Sequence, residues 1–276
     1  MTATIAMSRK NGDGSSRLLG WLHEAWLPVV FVAALFGIWE ACIHLFDIQP
    51  YMLPAPSSFF YQLGFRFDRI WDYTLVTGGE TLAGFLVAVA LGVPLSLIVA
   101  FSWVLRRTFY PLAVTLEMIP KIAFAPIMVS WLGFAFSGKV VIVFMVCFFP
   151  ILLNGILAFT SLSEDLLRFS QSTGAGAVRT FVKVRLPAAL PQLFVGIKGA
   201  AVNATVGATV SEWVGGDAGL GYYIQIASGE LRMDIAFAIM IMLALVGLAL
   251  FFAVVLVERA LIPWHISQRT IAGAGL

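Results

Sequence analysis

The sequence predicts an all-α integral membrane protein of about six transmembrane helices, with both termini on the inner side. Three observations carry that expectation. Of the 276 residues, 60% are hydrophobic and 12% charged, about half the charged fraction of a soluble domain. Six apolar runs, at approximately 27–47, 75–103, 111–132, 139–160, 189–212 and 235–257, are each able to cross a bilayer core of about 30 Å, which takes about 20 helical residues. Lys and Arg also fall unevenly between the runs. With the N-terminus inside, Arg9, Lys10, Arg17, Arg106, Arg107, Arg168, Arg179, Lys183, Arg185, Arg259 and Arg269 are cytoplasmic, against Arg66, Arg69, Lys139 and Arg232 outside, the bias expected of inner loops.

The polar opening segment 1–26 has no apolar core of its own. No cleavable signal is evident, and the first span is expected to be retained as an anchor. Residues 48–74 begin DIQPYMLPAPSSFFYQLGFRF, a proline-fixed turn and an aromatic piece suited to an interface. The second run is long enough to tilt or to project from the membrane. In the third, Glu117 and Lys121 are spaced i, i+4 in the favoured order, with Pro120 and Pro126 nearby. Two readings fit: a self-neutralising pair near the cytoplasmic end, or groups lining a path beside carbonyls freed by proline. Cys42 and Cys147 each lie in an apolar run without metal spacing and read as small buried hydrophobes.

Between the fourth and fifth runs, about 161–187, the chain turns polar: SLSEDLLRFSQSTGAGAVRTFVKVRLP. Ser161 followed by Glu164 is a capping box that starts a helix, with Leu162, Leu166 and Phe169 on one face. Gly174 and Gly176 interrupt it. A second short amphipathic helix follows, carrying Val178, Phe181 and Val182 on one side and Arg179 and Lys183 on the other. Pro187 suits the first turn of the next span. This inside-facing elbow fits either a connector lying on anionic lipid or a docking element for a soluble partner.

In the fifth span, Gly196, Ala200, Ala204 and Ala208 form one small-residue ridge, and Gly199, Asn203, Gly207 and Ser211 an adjoining one. Such ridges let helices approach closely. Ionisable or amide groups inside spans are candidates for function because their insertion is costly. The candidates for a translocation path are Glu117, Lys121, Asn154, Lys198, Asn203, Thr209 and Glu212, with Thr205 as a further hydroxyl. Lys198 could attract an anionic cargo or snorkel to the interface. The outer segment 213–234, WVGGDAGLGYYIQIASGELRMD, reads as a shaped loop bordering the outer mouth.

Some function classes drop out. Lys and Arg form no stripe, so nucleic-acid binding has no support. His23, His44 and His265 are too far apart to share a metal. There is no GxxxxGK[ST] loop and no GxSxG motif, so neither P-loop ATP hydrolysis nor that nucleophile is expected. No catalytic residue, metal site or enzyme activity is assigned, and any energy source must come from elsewhere.

The residues Gly174, nine residues, then Val184-Arg185-Leu186-Pro187 resemble the cytoplasmic loop of binding-protein-dependent ABC importer permeases, whose pattern is Glu-Ala-Ala, three residues, Gly, nine residues, Ile-x-Leu-Pro. Arg168-Phe169-Ser170 stand where that family has Glu-Ala-Ala. YMLPAPSSFF, LGVPLSL, IPKIAFAPIMVSWLGF, FFPILLNGILAF, GGDAGLGYYI and VERALIPWH are similar, in the same order over about 27–265, to the nitrate/sulfonate/taurine/bicarbonate branch. The resemblance implies a type I ABC importer permease-like fold in a bacterial cytoplasmic (inner) membrane. It divides the chain into a cytoplasmic tail at 1–26, a permease domain at 27–257 and a cytoplasmic tail at 258–276. It implies a second permease copy as a homodimer, two cytoplasmic ATPases holding ATP and Mg, and an extracytoplasmic solute-binding protein. Cargo would be a small polar or anionic solute: nitrate, a sulfonate such as taurine, bicarbonate or a thiamine-precursor pyrimidine. The elbow would be the ATPase-coupling element, formed by Glu164, Asp165, Leu166, Arg168, Phe169, Gly174, Val178, Arg179, Phe181, Leu186 and Pro187. The rival is a self-contained secondary transporter, which predicts paired broken helices and a carboxylate deep in the membrane. Only Glu117 is a candidate for that carboxylate, and it is expected near the cytoplasmic side.

Overall fold

Helices account for every regular element in the computed structural model, which describes residues 14–264 apart from Phe134, Ser163, Glu164, Leu166, Leu167, Phe169 and Gln171, with backbone alone over 14–25. The chain divides into two units, one holding α1 (Gly14–Leu45) and the other running from Gln49 to His265. Helix α1 continues through Pro28 into a 20-residue apolar stretch, Trp26–Leu45. Within it the Phe36 and Trp39 rings stack at 6.1 Å, and His44 meets Glu40 at 3.3 Å.

The second unit is built on α3 (Phe67–Phe101), α6 (Phe136–Thr160) and α7 (Ala177–Gly215). Small residues set how closely they pack. A methyl group at Gly84 would overlap Val143, one at Gly155 would overlap Ser96, and one at Gly92 would lie 3.0 Å from Ile151 Cγ2. On the other side of α6, Gly196 backs onto Asn154 and Gly207 onto Val143. Ala200, Ala204 and Ala208 are fully buried, and the Cys147 thiol donates to the Ala200 carbonyl at 3.4 Å. In lipid, helices gain little from sequestering apolar area, so dispersion at close approach is what holds such a core. The first fifth-span ridge is therefore a packing surface. Of the second, Gly199 and Asn203 are exposed while Gly207 and Ser211 are buried.

The same contacts set the relative direction of α3 and α6. Gly84 meets Val143, Gly92 meets Ile151 and Ser96 meets Gly155, so α3 and α6 run in the same direction. The segment between them must cross back. It does so as a broken span: α4 (Trp103–Glu117), a 3₁₀ turn at Lys121–Phe124 and α5 (Ala125–Leu132), bent by 82°. The Ser102 hydroxyl caps the start of α4, accepting from Leu105 N–H at 3.3 Å. Pro120 causes the break, since the residue before a proline is driven out of the helical region. Pro126 then restarts the helix in the first turn of α5. With α1, α3, α6, α7 and α9 (Met233–Leu261), the described residues supply five helices long and apolar enough to cross, and six candidate crossings with the bent pair counted as one. The third run, expected at 111–132 with its helix disturbed at Pro120, is thus two arms, and the first begins earlier, at Trp103.

Helix α9 runs antiparallel to α7, with Gly247 against Thr205 and Glu258 beside Lys198. Two short helices occupy the end where α3 and α6 begin. Helix α2 (Pro56–Phe65) stacks Phe59 on Phe237 of α9 at 6.0 Å. Helix α8 (Leu220–Gly229) lies within the segment expected to be a loop, and Tyr73 of α3 meets Tyr223 at 5.0 Å.

Candidate translocation groove and cytoplasmic elbow

An open groove of about 370 Å³ lies between the break and α7. It is lined by Ile122, Thr205, Thr209 and Trp213 among others, with Leu243 and Ala244 from α9 on the far side. The Thr209 hydroxyl donates to the Thr205 carbonyl at 2.8 Å and that of Thr205 to Val202 at 3.3 Å. Each keeps free lone pairs for a solute donor. At the break, Lys121 Nζ sits 2.9 Å from Glu117 Oε2 and donates to the Glu117 carbonyl at 3.0 Å. It therefore satisfies a carbonyl stranded where α4 stops. The pair bridges two segments and does not lie along one helix face as predicted. Lys121 also lies 5.6 Å over the ring of Phe149, at the middle of α6. This sets the Lys121 ammonium beside the middle of α6.

Three other path candidates take structural roles. Asn154 donates to the Pro150 carbonyl at 2.9 Å and accepts from Gln192 at 3.2 Å, which ties α6 to α7. Lys198 donates to both Glu258 oxygens at 3.1 and 2.9 Å. Its charge is neutralised between α7 and α9, so it is neither a free attractant nor a snorkelling group. Glu212 lies away from the groove, in a buried cluster where α3 and α6 begin.

That cluster was missed at its other members. Lys139, assigned to an outer loop, lies in the first turn of α6 with its side chain 6% exposed, 2.9 Å from Glu80 Oε1 and 3.7 Å from Asp217. Glu212 accepts from the Thr77 hydroxyl at 2.6 Å and from Gly221 N–H at 2.5 Å, and Thr77 accepts from Leu220 N–H at 2.7 Å. Side chains of α3 and α7 thus cap the start of α8, which has no cap of its own. Gly219 holds φ +114° with its α-carbon against the Glu212 carboxylate, a site with no room for a Cβ. One signal was available in the sequence: Glu80 is a carboxylate inside the second apolar run.

At the opposite end the elbow turns at Gly174, whose φ of +71° suits glycine. The Thr173 hydroxyl donates to the Ser170 carbonyl at 2.7 Å, and the Ser170 and Thr180 hydroxyls meet across the turn at 2.9 Å. The expected separate second helix is absent. Residues 177–215 form one continuous helix with a π turn at Phe181–Arg185, immediately before Pro187, whose ring clashes with an ordinary helical turn. Val178 is 78% exposed and Arg179 is exposed. Phe181 instead turns inward, edge-on to Phe101 of α3 at 5.6 Å, while Arg185 covers the same ring at 4.7 Å. Leu186 packs against the helical core, and Pro187 is half-buried. Asp165 and Arg168 are exposed, while Glu164, Leu166 and Phe169 lie outside the described residues.

Residues 92–264 match the family described as binding-protein-dependent transport system inner membrane component. A probable ABC transporter permease of Haemophilus influenzae is 30% identical over 82% of this chain and 93% of its own length. The formylaminopyrimidine transport permease ThiX of Halalkalibacterium halodurans is 30% identical over 89% and 98%, and the riboflavin transport permease RibX of Chloroflexus aurantiacus 32% over 87% and 90%. The chain belongs to the binding-protein-dependent transport inner membrane component family and is a multi-pass ABC transporter permease of the inner membrane.

Proposed function

We propose that this chain is the translocation subunit of an ATP-driven importer, pairing with a second copy so that the Thr205–Trp213 side of α7 faces a shared path. Two cytoplasmic ATPases holding ATP and Mg drive it through the elbow, and a binding protein outside delivers the solute. The termini lie in the cytoplasm, as the Lys/Arg bias requires. The observation that supports this best is the join between elbow and α7. Because residues 177–215 are one helix, a push on exposed Val178 and Arg179 reaches the groove without crossing a flexible link. Leu166 and Phe169 add apolar contacts to the docking element, and Glu164 or Asp165 replaces the family glutamate that Arg168 displaces.

The cargo is a small polar solute of the nitrate, sulfonate, bicarbonate or thiamine-precursor kind. Within that range the lysines favour an uncharged heteroaromatic such as a pyrimidine. Lys121, Lys139 and Lys198 each have a carboxylate within 2.9 Å, so none offers an unbalanced charge to an anion. Trp213 and the threonines offer a ring face and hydrogen-bonding oxygens. The test is uptake into proteoliposomes containing this chain, its ATPase and its binding protein. ATP-dependent uptake of a labelled aminopyrimidine, uncompeted by nitrate, taurine or bicarbonate, is expected. Saturable uptake of one of those anions would overturn the choice of cargo, and ATP-independent uptake would overturn the importer reading.

A further inference from the structure

We propose that Glu80 and Glu212 form a proton-binding site, their adjoining carboxyl groups holding one proton between them. Both residues are buried, at 1% and 0% exposed. Donors around them are few and already used. Lys139 Nζ serves Glu80 Oε1 at 2.9 Å, the Thr77 hydroxyl serves Glu212 Oε1 at 2.6 Å, and Gly221 N–H serves Glu212 Oε2 at 2.5 Å. Glu80 Oε2 is buried with no hydrogen-bond donor, and Thr77, which binds Glu212 at 2.6 Å, sits one helical turn before Glu80 on α3, so the two carboxyl groups face one another. Two ionised carboxylates facing each other without a donor are strongly unfavourable, and one shared proton removes the repulsion.

Charge counting leads to the same place. With both glutamates ionised, the buried groups carry two negative charges against the single positive charge of Lys139. One proton makes the group neutral and supplies the missing donor, with a carboxyl O–H donating to the facing carboxylate oxygen. Asp217, the remaining acid near Lys139 at 3.7 Å, has a side chain 90% exposed, so water satisfies it. Other titratable groups at this end include Asp68, Asp72, Tyr73, Tyr222, Tyr223, Glu230, the Arg232–Asp234 pair and Arg69, whose guanidinium lies over the Tyr223 ring at 5.0 Å. A metal ion is a poorer occupant. The backbone at Gly219 and Gly221 closes directly onto the Glu212 carboxylate, and among the described residues no group of three acidic, His or Cys side chains could hold one. The proton therefore links α3 to α7 at the end where α8 is seated. This holds whatever solute the chain carries.

The test is infrared spectroscopy of the full-length chain in lipid nanodiscs, at neutral pH in H₂O and D₂O, with ¹³C-glutamate labelling to assign the signal. The wild type should show the carbonyl band of one buried protonated glutamic acid, shifted by deuteration. That band should vanish in both Glu80→Gln and Glu212→Gln, because either amide supplies its own N–H and leaves the partner ionised. No such band in the wild type, or its survival in either folded variant, overturns the site. Should both variants misfold, alkaline titration of the labelled wild type decides. Loss of the band of one carboxyl supports the shared proton, and loss of two overturns it.

Discussion

The two ends of α7 are held by opposite means. At its Gly215 end, Glu212 is buried among Thr77, Glu80, Lys139 and the start of α8, in a network with contacts of 2.5 to 2.9 Å. At its Ala177 end, the helix widens into a π turn and leans on one ring, Phe101, through Phe181 and Arg185. A buried network tolerates little displacement, because moving any member strands a charge or a polar group in low dielectric. Aromatic and cation–π contacts vary smoothly with position and cost about 1 kcal/mol when lost. The difference teaches where motion can start: the elbow end can shift by small steps, whereas the Glu212 end holds or releases as a unit.

The comparison is broken most severely at Lys139. Lys139→Ala leaves Glu80 buried without its cation and should destabilise the chain by about 3–5 kcal/mol, measured as a fall in unfolding midpoint in detergent. Adding Glu80→Ala should restore a large part of that loss. A double variant no more stable than the single one would show that the pair does not act as a unit. Next in size is Gly84→Leu, which forces α3 and α6 apart at Val143. It should cost about 1–3 kcal/mol by overpacking, read by the same assay.

At the compliant end, Gly174→Val puts a β-branched residue at φ +71°, a local cost of about 1–3 kcal/mol. The elbow should reshape while the unfolding midpoint of the spans stays put, and solute uptake should fall relative to ATP hydrolysis. Unchanged uptake by a well-expressed variant would remove the elbow from the coupling route. The smallest effect is expected from Phe101→Leu, which deletes the ring beneath Arg185 at about 0.5–1 kcal/mol. It should lower uptake per ATP hydrolysed by a few fold with little change in stability. An unaltered ratio would show that α3 takes no part in carrying motion from the elbow.

Much of this was written along the chain. Apolar run length marked all six candidate crossings, five of them single long helices and one a bent pair, because a bilayer core of fixed thickness imposes a minimum length that composition alone reveals. Gly174 and Leu186-Pro187 marked the elbow, since a positive φ and a missing N–H are properties of single residues. Pro120 foretold a disturbance in the third crossing. What the sequence could not decide was partnership. Lys198 looked like a free cation until α9 brought Glu258 to within 2.9 Å. Lys139 looked like a loop charge until α6 carried it beside Glu80. Phe181 looked like an outward contact until the π turn aimed it at Phe101. Local rules determine where helices begin, stop and turn, because they depend on neighbours a few residues away. Whether a buried charge is neutralised depends on which helix lies alongside and in which direction it runs, and only the tertiary packing of α3, α6, α7 and α9 decided that.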